Sequence, residues 1–382
     1  MKVFKWAKKV IGFFIKPSIV FESQPVLSDN TKAVYDEMVR CHFDKKYYMV
    51  WTHSWEDWVR FDNNKEIHFN PRQRNTLRQS ILNYSVFYKT KCIICCNQFI
   101  PSSGEGQITY GKNQKSFYLS HGTPLKKTKP YYTSSGGIDF AVSASENTRE
   151  VMSQEFSISI NNYYATGFPR NDVFSKEPIN LCKFFGGSYR KIIIWYPTFR
   201  QGTNLILKGD ALPIIHNEQY AVQLNEVAKK NNVLIVLKPH FAQNLNYLRE
   251  ITLSNICFIN DEFFVQNSIT SYEMLASSDA LITDYSSVYF DYTLRDKPIG
   301  VVWEDVNEYK INPGFALDLE EYMKGAEKIY TIKDLCEFVQ RVSDNKDVLK
   351  EERREIRDKV NISLDGKNTE RVVSFIIEKA GL

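Results

Sequence analysis

A chain of 382 residues with 43% hydrophobic and 25% charged residues has the composition of a globular protein, and it is long enough to predict two domains. The formal net charge is +4, but residues 1–17 hold five lysines and no acid, while the rest carries 44 Lys and Arg against 45 Asp and Glu. A basic excess confined to one end excludes the domain-wide positive face of a nucleic-acid binder.

Residues 1–17, MKVFKWAKKVIGFFIKP, are predicted as an amphipathic helix. On a helical wheel Lys2, Lys5, Lys9 and Lys16 share a sector, and Val3, Trp6, Ala7, Val10, Ile11, Phe13 and Phe14 fill the remaining arc. The segment is too short and too charged to span a bilayer, which takes about 20 apolar residues. It suits a helix lying on an anionic membrane surface; packing on the protein's own core is the alternative.

Past Pro17 the pattern alternates between strands and helices. Strands are expected at 46–53, 91–96, 116–120 and 138–145, with helices at 76–88 and 146–156. The mixed polar stretch 174–188, with Gly186 and Gly187, reads as a linker. A second series follows, with strands at 191–199, 233–240, 256–261, 280–285 and 299–303 and helices near 219–231 and 270–278. Strands separated by helices at this spacing imply parallel sheets. The expected architecture is α/β: two Rossmann-like domains, 18–178 and 189–355, facing a central cleft, followed by a helical tail at 356–382.

The seven cysteines are scattered and odd in number, and no second Cys pair or nearby His completes a zinc pattern around Cys92, Cys95 and Cys96. They sit in an apolar run that reads as a buried strand. Reduced thiols and the lack of a cleavable signal sequence predict a cytoplasmic protein.

The polar groups with chemical potential fall just after apolar strands, where open parallel sheets bind ligands. SFYLS leads into His121-Gly122-Thr123-Pro124-Leu125-Lys126; KIIIWYPTFR ends in Thr198 and Arg200. VLIVLKPH ends in Lys238 and His240, and ALITDYSS in Asp284, Ser286 and Ser287. His121 is the candidate general base, since an imidazole titrating near pH ~6.5 can take a hydroxyl proton. Lys238, His240 and Arg200 offer cationic donors to a pyrophosphate, and Ser286 and Ser287 a helix N-terminus; simple helix capping by Asp284 or Ser286 is compatible with that. His42, His53, His68 and His216 lack such neighbours and read as structural or surface residues. There is no Walker A sequence and no Asp-x-Asp metal site, so catalysis is expected to need no metal or other cofactor.

Taken together, SHGTPLKK (120–127), TGFPRND (166–172), YPTFR (196–200), KPHF (238–241) and LITDYSSVYFDY (281–292) resemble the CDP-glycerol glycerophosphotransferase family, the teichoic acid primases and polymerases of bacteria. The resemblance implies a GT-B arrangement, with an acceptor-side N-terminal domain and a C-terminal domain holding the CDP moiety. It implies that His121 and His240 match two essential histidines, that Arg170 joins the substrate-binding residues, and that the protein sits on the inner membrane face. The family commonly has Trp where this chain has Ser120, and often Arg where Lys238 stands.

The expected partners are CDP-glycerol or a related CDP-polyol, a lipid-linked glycan or polyol-phosphate acceptor, and an anionic membrane surface, with no nucleic acid. A GT-B glycosyltransferase using a nucleotide-sugar, a CDP-ribitol-type transferase and a non-catalytic scaffold in polysaccharide assembly are the alternatives.

Overall fold

A computed structural model of the chain describes residues 16–23, 27–52, 67–69, 89–96, 114–127, 138–198, 212–239, 245, 248 and 251–382. The helices expected at 1–17 and 76–88 lie outside the described residues, apart from Lys16 and Pro17. The chain forms two compact units: 1–123, 130–172 and 365–382 make the first, and 124–129 with 173–364 the second.

The first unit is built on a parallel sheet of β1 (Ser18–Glu22), β2 (Tyr48–Thr52), β3 (Ile67–Phe69), β4 (Thr90–Cys95), β5 (Lys115–Tyr118), β6 (Phe140–Ser143) and β7 (Tyr163–Ala165). Their spatial order is β3-β2-β1-β4-β5-β6-β7. Strand β1 pairs with both β2 and β4, so it is central. Ile19, Val20 and Phe21 are buried, as are Cys92, Ile93, Ile94 and Cys95 of β4. Runs apolar on both faces are what a parallel sheet covered on both sides requires. Burial pushes the thiols of Cys92, Cys95 and Cys96 well up, so they behave as core residues, and none of the seven cysteines is in a disulfide.

Helix α1 (Asp29–Arg40) buries Val34, Tyr35 and Met38, and Tyr35 meets the Phe21 ring edge-on at 5.2 Å. Helix α2 (Arg149–Phe156) buries Val151, Met152 and Phe156. The final helix, Asn368–Ala380, also belongs to this unit, although the sequence pattern reads it as part of a separate tail. Its Phe375 packs on Phe117, Phe140 and Tyr164, the last at 4.3 Å between ring centroids. Its first turn is satisfied by Asp172, whose carboxylate accepts the backbone N–H groups of Asn368 and Thr369, each at 2.8 Å. Gly167 lies against this turn at φ +77°, where an added Cβ would meet Asn368 Oδ1 at 2.1 Å.

The second unit has six parallel strands, β8 (Lys191–Trp195), β9 (Val233–Leu237), β10 (Ile256–Phe258), β11 (Ala280–Thr283), β12 (Ile299–Val302) and β13 (Glu327–Ile329), in the order β10-β9-β8-β11-β12-β13. All five residues of β9 are buried. Between the strands run α3 (Glu218–Lys230), α4 (Asp261–Asn267), α5 (Ser271–Ser277) and α6 (Val288–Tyr292). Helix α7 (Ile332–Ser343) buries Leu335, Phe338 and Val339 in the same core as Ile193, Trp195 and Ile235. Helix α8 (Lys350–Val360) closes the unit through Arg353, 1% exposed, which pairs with Asp347 and, at 3.4 Å, with Asp296.

Within each unit the strands follow the doubly wound order 3-2-1-4-5-6, with one strand more in the first. The order reverses between β1 and β4, and again between β8 and β11. Ligands of such sheets bind beyond the strand carboxyl ends at that reversal. The sequence pattern misses β1, β3, β7 and β13; the last three span three residues each, and neither YYA nor EKI carries the apolar run by which KIIIW and VLIVL stand out. The expected linker contains a helical turn at Cys182–Phe185.

Candidate active site

In the first unit the chain leaves β5 through a turn with unusual backbone angles. Ser120 has φ +57° and Gly122 φ +127°; the latter is a conformation that disfavours a Cβ. The Ser120 hydroxyl donates to the Gly122 carbonyl at 3.1 Å, closing the turn on itself. His121, half-buried between these two, stands at the carboxyl ends of β4 and β5, beside the strand reversal.

Its ring is 3.3 Å through Nδ1 from the Cys96 carbonyl oxygen. A carbonyl only accepts, so this bond requires Nδ1 to carry the proton. The lone pair of the neutral imidazole is then on Nε2, the tautomer a general base needs. The edge of the ring meets Phe156, 6.4 Å between centroids.

The backbone around His121 is held from two distant segments. The Asn30 amide donates to the carbonyls of Leu119 at 3.3 Å and Ser120 at 2.8 Å. Arg170 donates one arm of its guanidinium to the His121 carbonyl at 2.8 Å and the other to Asp29 at 2.6 Å. Its backbone N–H donates to Asn30 Oδ1 at 3.0 Å. Arg170, expected beside substrate, has a side chain only 8% exposed and engaged in this network.

Gly122 and Thr123 are both buried, and the Thr123 hydroxyl has no hydrogen-bond partner among the described residues. From Pro124 the chain is counted with the second unit, where Lys126 bridges Phe315 and the Lys127 N–H donates to the Gly314 carbonyl at 3.0 Å.

In the second unit Thr198 and Asp284 pair across the strand reversal. Asp284, 0% exposed at the end of β11, accepts the Thr198 backbone N–H at 2.7 Å and the Thr198 hydroxyl, just beyond β8. Thr283 adds a bond from its hydroxyl to the Tyr196 carbonyl at 3.0 Å. The carboxylate therefore ties the 196–198 segment to β11. Ser287 occupies the N-cap position of α6 without a side-chain cap, and Ser286 Oγ lies 3.5 Å from the Val288 nitrogen.

Lys238, at the end of β9, is 23% exposed and pairs with Asp261 of α4 at 3.0 Å. Arg200 and His240 lie outside the described residues. Among the described residues, no group of three His, Cys, Asp or Glu side chains is disposed to hold a metal ion.

Asp29 and Asn30 carry no warning in the sequence. A Ser-Asp-Asn run before an apolar-periodic helix reads as a cap. Their partners stand about 90 and 140 positions away, at Ser120 and Arg170.

Known proteins match this organisation over nearly the whole chain. The pattern of the family described as CDP-Glycerol:Poly(glycerophosphate) glycerophosphotransferase fits residues 6–378. A teichoic acid poly(ribitol-phosphate) polymerase of Bacillus spizizenii is 25% identical over 400 aligned positions, covering 94% of this chain and 56% of that protein. A teichoic acid poly(glycerol phosphate) polymerase of the same organism is 23% identical, covering 85% of this chain and 84% of the relative. The chain thus spans little more than half the length of the first of these. In fold, a structure of the wall teichoic acid polymerase TagF superposes with a TM-score of 0.76 at 21% identity, covering 99% of this chain and 92% of its own. Two doubly wound parallel sheets give the chain that GT-B-like fold, and with the family pattern running from residue 6 to residue 378 it belongs to the CDP-glycerol:poly(glycerophosphate) glycerophosphotransferase family.

Proposed function

We propose that the chain transfers an alcohol phosphate, glycerol phosphate first among the candidates, from a CDP-activated donor to a hydroxyl of a membrane-associated glycan or teichoic-acid-type acceptor, with release of CMP. The observation that carries the reading is the His121 ring, whose Nδ1–H is committed to the Cys96 carbonyl at the end of the sheet. In this reading the Nε2 lone pair takes the acceptor's hydroxyl proton. The resulting oxygen attacks the donor's β-phosphorus, the bond to the bridging oxygen breaks, and CMP leaves with that oxygen and its electron pair. Lys238, Arg200 and His240 stabilise the charge gathering on the pyrophosphate, aided by the backbone N–H groups at Ser286 and Ser287. Gly122, Thr123 and Lys126 shape the acceptor side. No resident metal or other cofactor enters this scheme.

Family membership and the two relatives, polymerases of poly(ribitol phosphate) and poly(glycerol phosphate), support a CDP-polyol donor. Among the described residues no helix is long and apolar enough to cross a membrane. The proposed attachment is peripheral, on the cytoplasmic face of the bacterial membrane, through residues 1–17.

The test is CMP release from purified protein, using CDP-glycerol and CDP-ribitol beside UDP- and GDP-sugars, with a lipid-linked or polyol-phosphate acceptor. CMP from a CDP-polyol supports the reading, and His121→Ala is expected to lower that release about 10²- to 10⁴-fold. Exclusive UDP or GDP release would replace it with glycosyl transfer, and undiminished turnover of His121→Ala would remove the base assignment.

A further inference from the structure

We infer that Asp29, Asn30 and Arg170 are positioning residues: together they fix the backbone that aims His121, and Arg170 serves this network instead of touching substrate. The inference rests on His121 acting as the base.

Three successive carbonyls, those of Leu119, Ser120 and His121, are gripped by side chains from outside the turn. Asn30 takes the first two at 3.3 and 2.8 Å, and Arg170 takes the third at 2.8 Å. Fixing these oxygens fixes the peptide planes on both sides of Ser120 and after His121, and with them the direction of the His121 Cα–Cβ bond. The grip is needed because Ser120 sits at φ +57°, a conformation that costs a non-glycine residue energy and persists only where its surroundings enforce it.

The gripping groups are themselves locked. Asn30 is 0% exposed, and its Oδ1 accepts the Arg170 backbone N–H at 3.0 Å. Asp29 Oδ1 accepts from both the Asn30 backbone N–H, at 2.7 Å, and the Arg170 guanidinium, at 2.6 Å. The Arg170 and Asp29 side chains are 8% and 16% exposed, so solvent screens this pair little. A guanidinium shared between a carboxylate and a carbonyl uses its fixed fork; an ammonium on a flexible stem cannot reproduce that geometry. The anchor Asp29-Asn30 begins α1, so the aim of the base is referred to a helix rather than to a loop.

The experiment compares wild type with Asp29→Asn, Arg170→Lys and Asn30→Ala, each checked for folding by thermal melting. Two readouts are taken: CMP-release kinetics, and the tautomer of His121 from long-range ¹H–¹⁵N spectra. Misaimed catalytic groups lose rate at near-constant binding, so kcat is expected to fall about 10- to 100-fold with the donor KM within about 2-fold of wild type. The Nδ1-protonated signature expected of wild type should give way to a mixture. Should Asn30→Ala fail to fold, the two milder variants decide the matter. Unchanged kcat with a wild-type tautomer overturns the inference, as does a raised donor KM at constant kcat, which would mark Arg170 as a donor contact. Wild type that releases no CMP from any CDP-polyol would sink the functional reading, while the spectra still judge the positioning network independently.

Discussion

Replacing Thr198 by Val keeps the side-chain shape and removes one of the two hydrogen bonds that Thr198 gives to Asp284. The acceptor is a carboxylate with 0% exposure, so water cannot take the hydroxyl's place. A hydrogen bond to a charged group is worth about 1.5–3 kcal/mol. The backbone N–H bond at 2.7 Å remains, so the segment is loosened, not released. A loss of about 2 kcal/mol, felt wherever the 196–198 segment must be ordered to hold the donor, corresponds to roughly a 30-fold weaker Kd. Thr198→Ser keeps the hydroxyl and is expected within about 3-fold of wild type.

The assay is calorimetric titration with CDP-glycerol, using Thr198→Val, Asp284→Asn and the double variant. If the two residues act as one bonded pair, the changes are not additive, with a coupling of about 1–3 kcal/mol. A Thr198 that instead touches the donor directly would lose the same affinity in either background. Additive changes, or a Thr198→Val protein that binds as tightly as wild type, would refute the reasoning.

Lys238 is paired at 3.0 Å with Asp261, whose side chain is 64% exposed, so the carboxylate competes with phosphate for the ammonium while solvent weakens its hold. Such pairs are worth about 0.2–1 kcal/mol. Asp261→Asn is therefore expected to tighten CDP-glycerol binding roughly 1.5- to 5-fold at low salt; weaker binding would take Lys238 out of the donor site. Asp172→Ala deprives two backbone N–H groups of the final helix of their acceptor and should cost about 1–2 kcal/mol, read as faster hydrogen exchange over 368–380. Gly167→Ala adds a clash with Asn368 at a backbone angle that resists a side chain, and it should accelerate that exchange further; unchanged protection in both variants would place the docking of this helix elsewhere.

The class of the molecule was legible because it depends on local pattern. Buried parallel strands must be apolar on both faces, so KIIIW, VLIVL and ALIT announce themselves in composition, and the helices between them imply crossovers. The position of His121 after such a strand, in a Gly-containing run, is likewise local. Sequence by itself determined the α/β class, the family resemblance and the strand ends at which the site is proposed.

Tertiary structure alone decided which strand is central. SIVFE is five residues long, yet it pairs on both edges and sits at the reversal that brings β4 beside His121. It also decided that Asp284 ties Thr198 across β8 and β11, that the last helix docks on Asp172, and that Asn30 reaches the carbonyls of Leu119 and Ser120. The physical reason is the same throughout. Propensity and periodicity act over a few neighbouring residues, whereas a buried polar group finds its partner wherever the fold brings one within hydrogen-bond reach, here across separations of 86 to 196 positions.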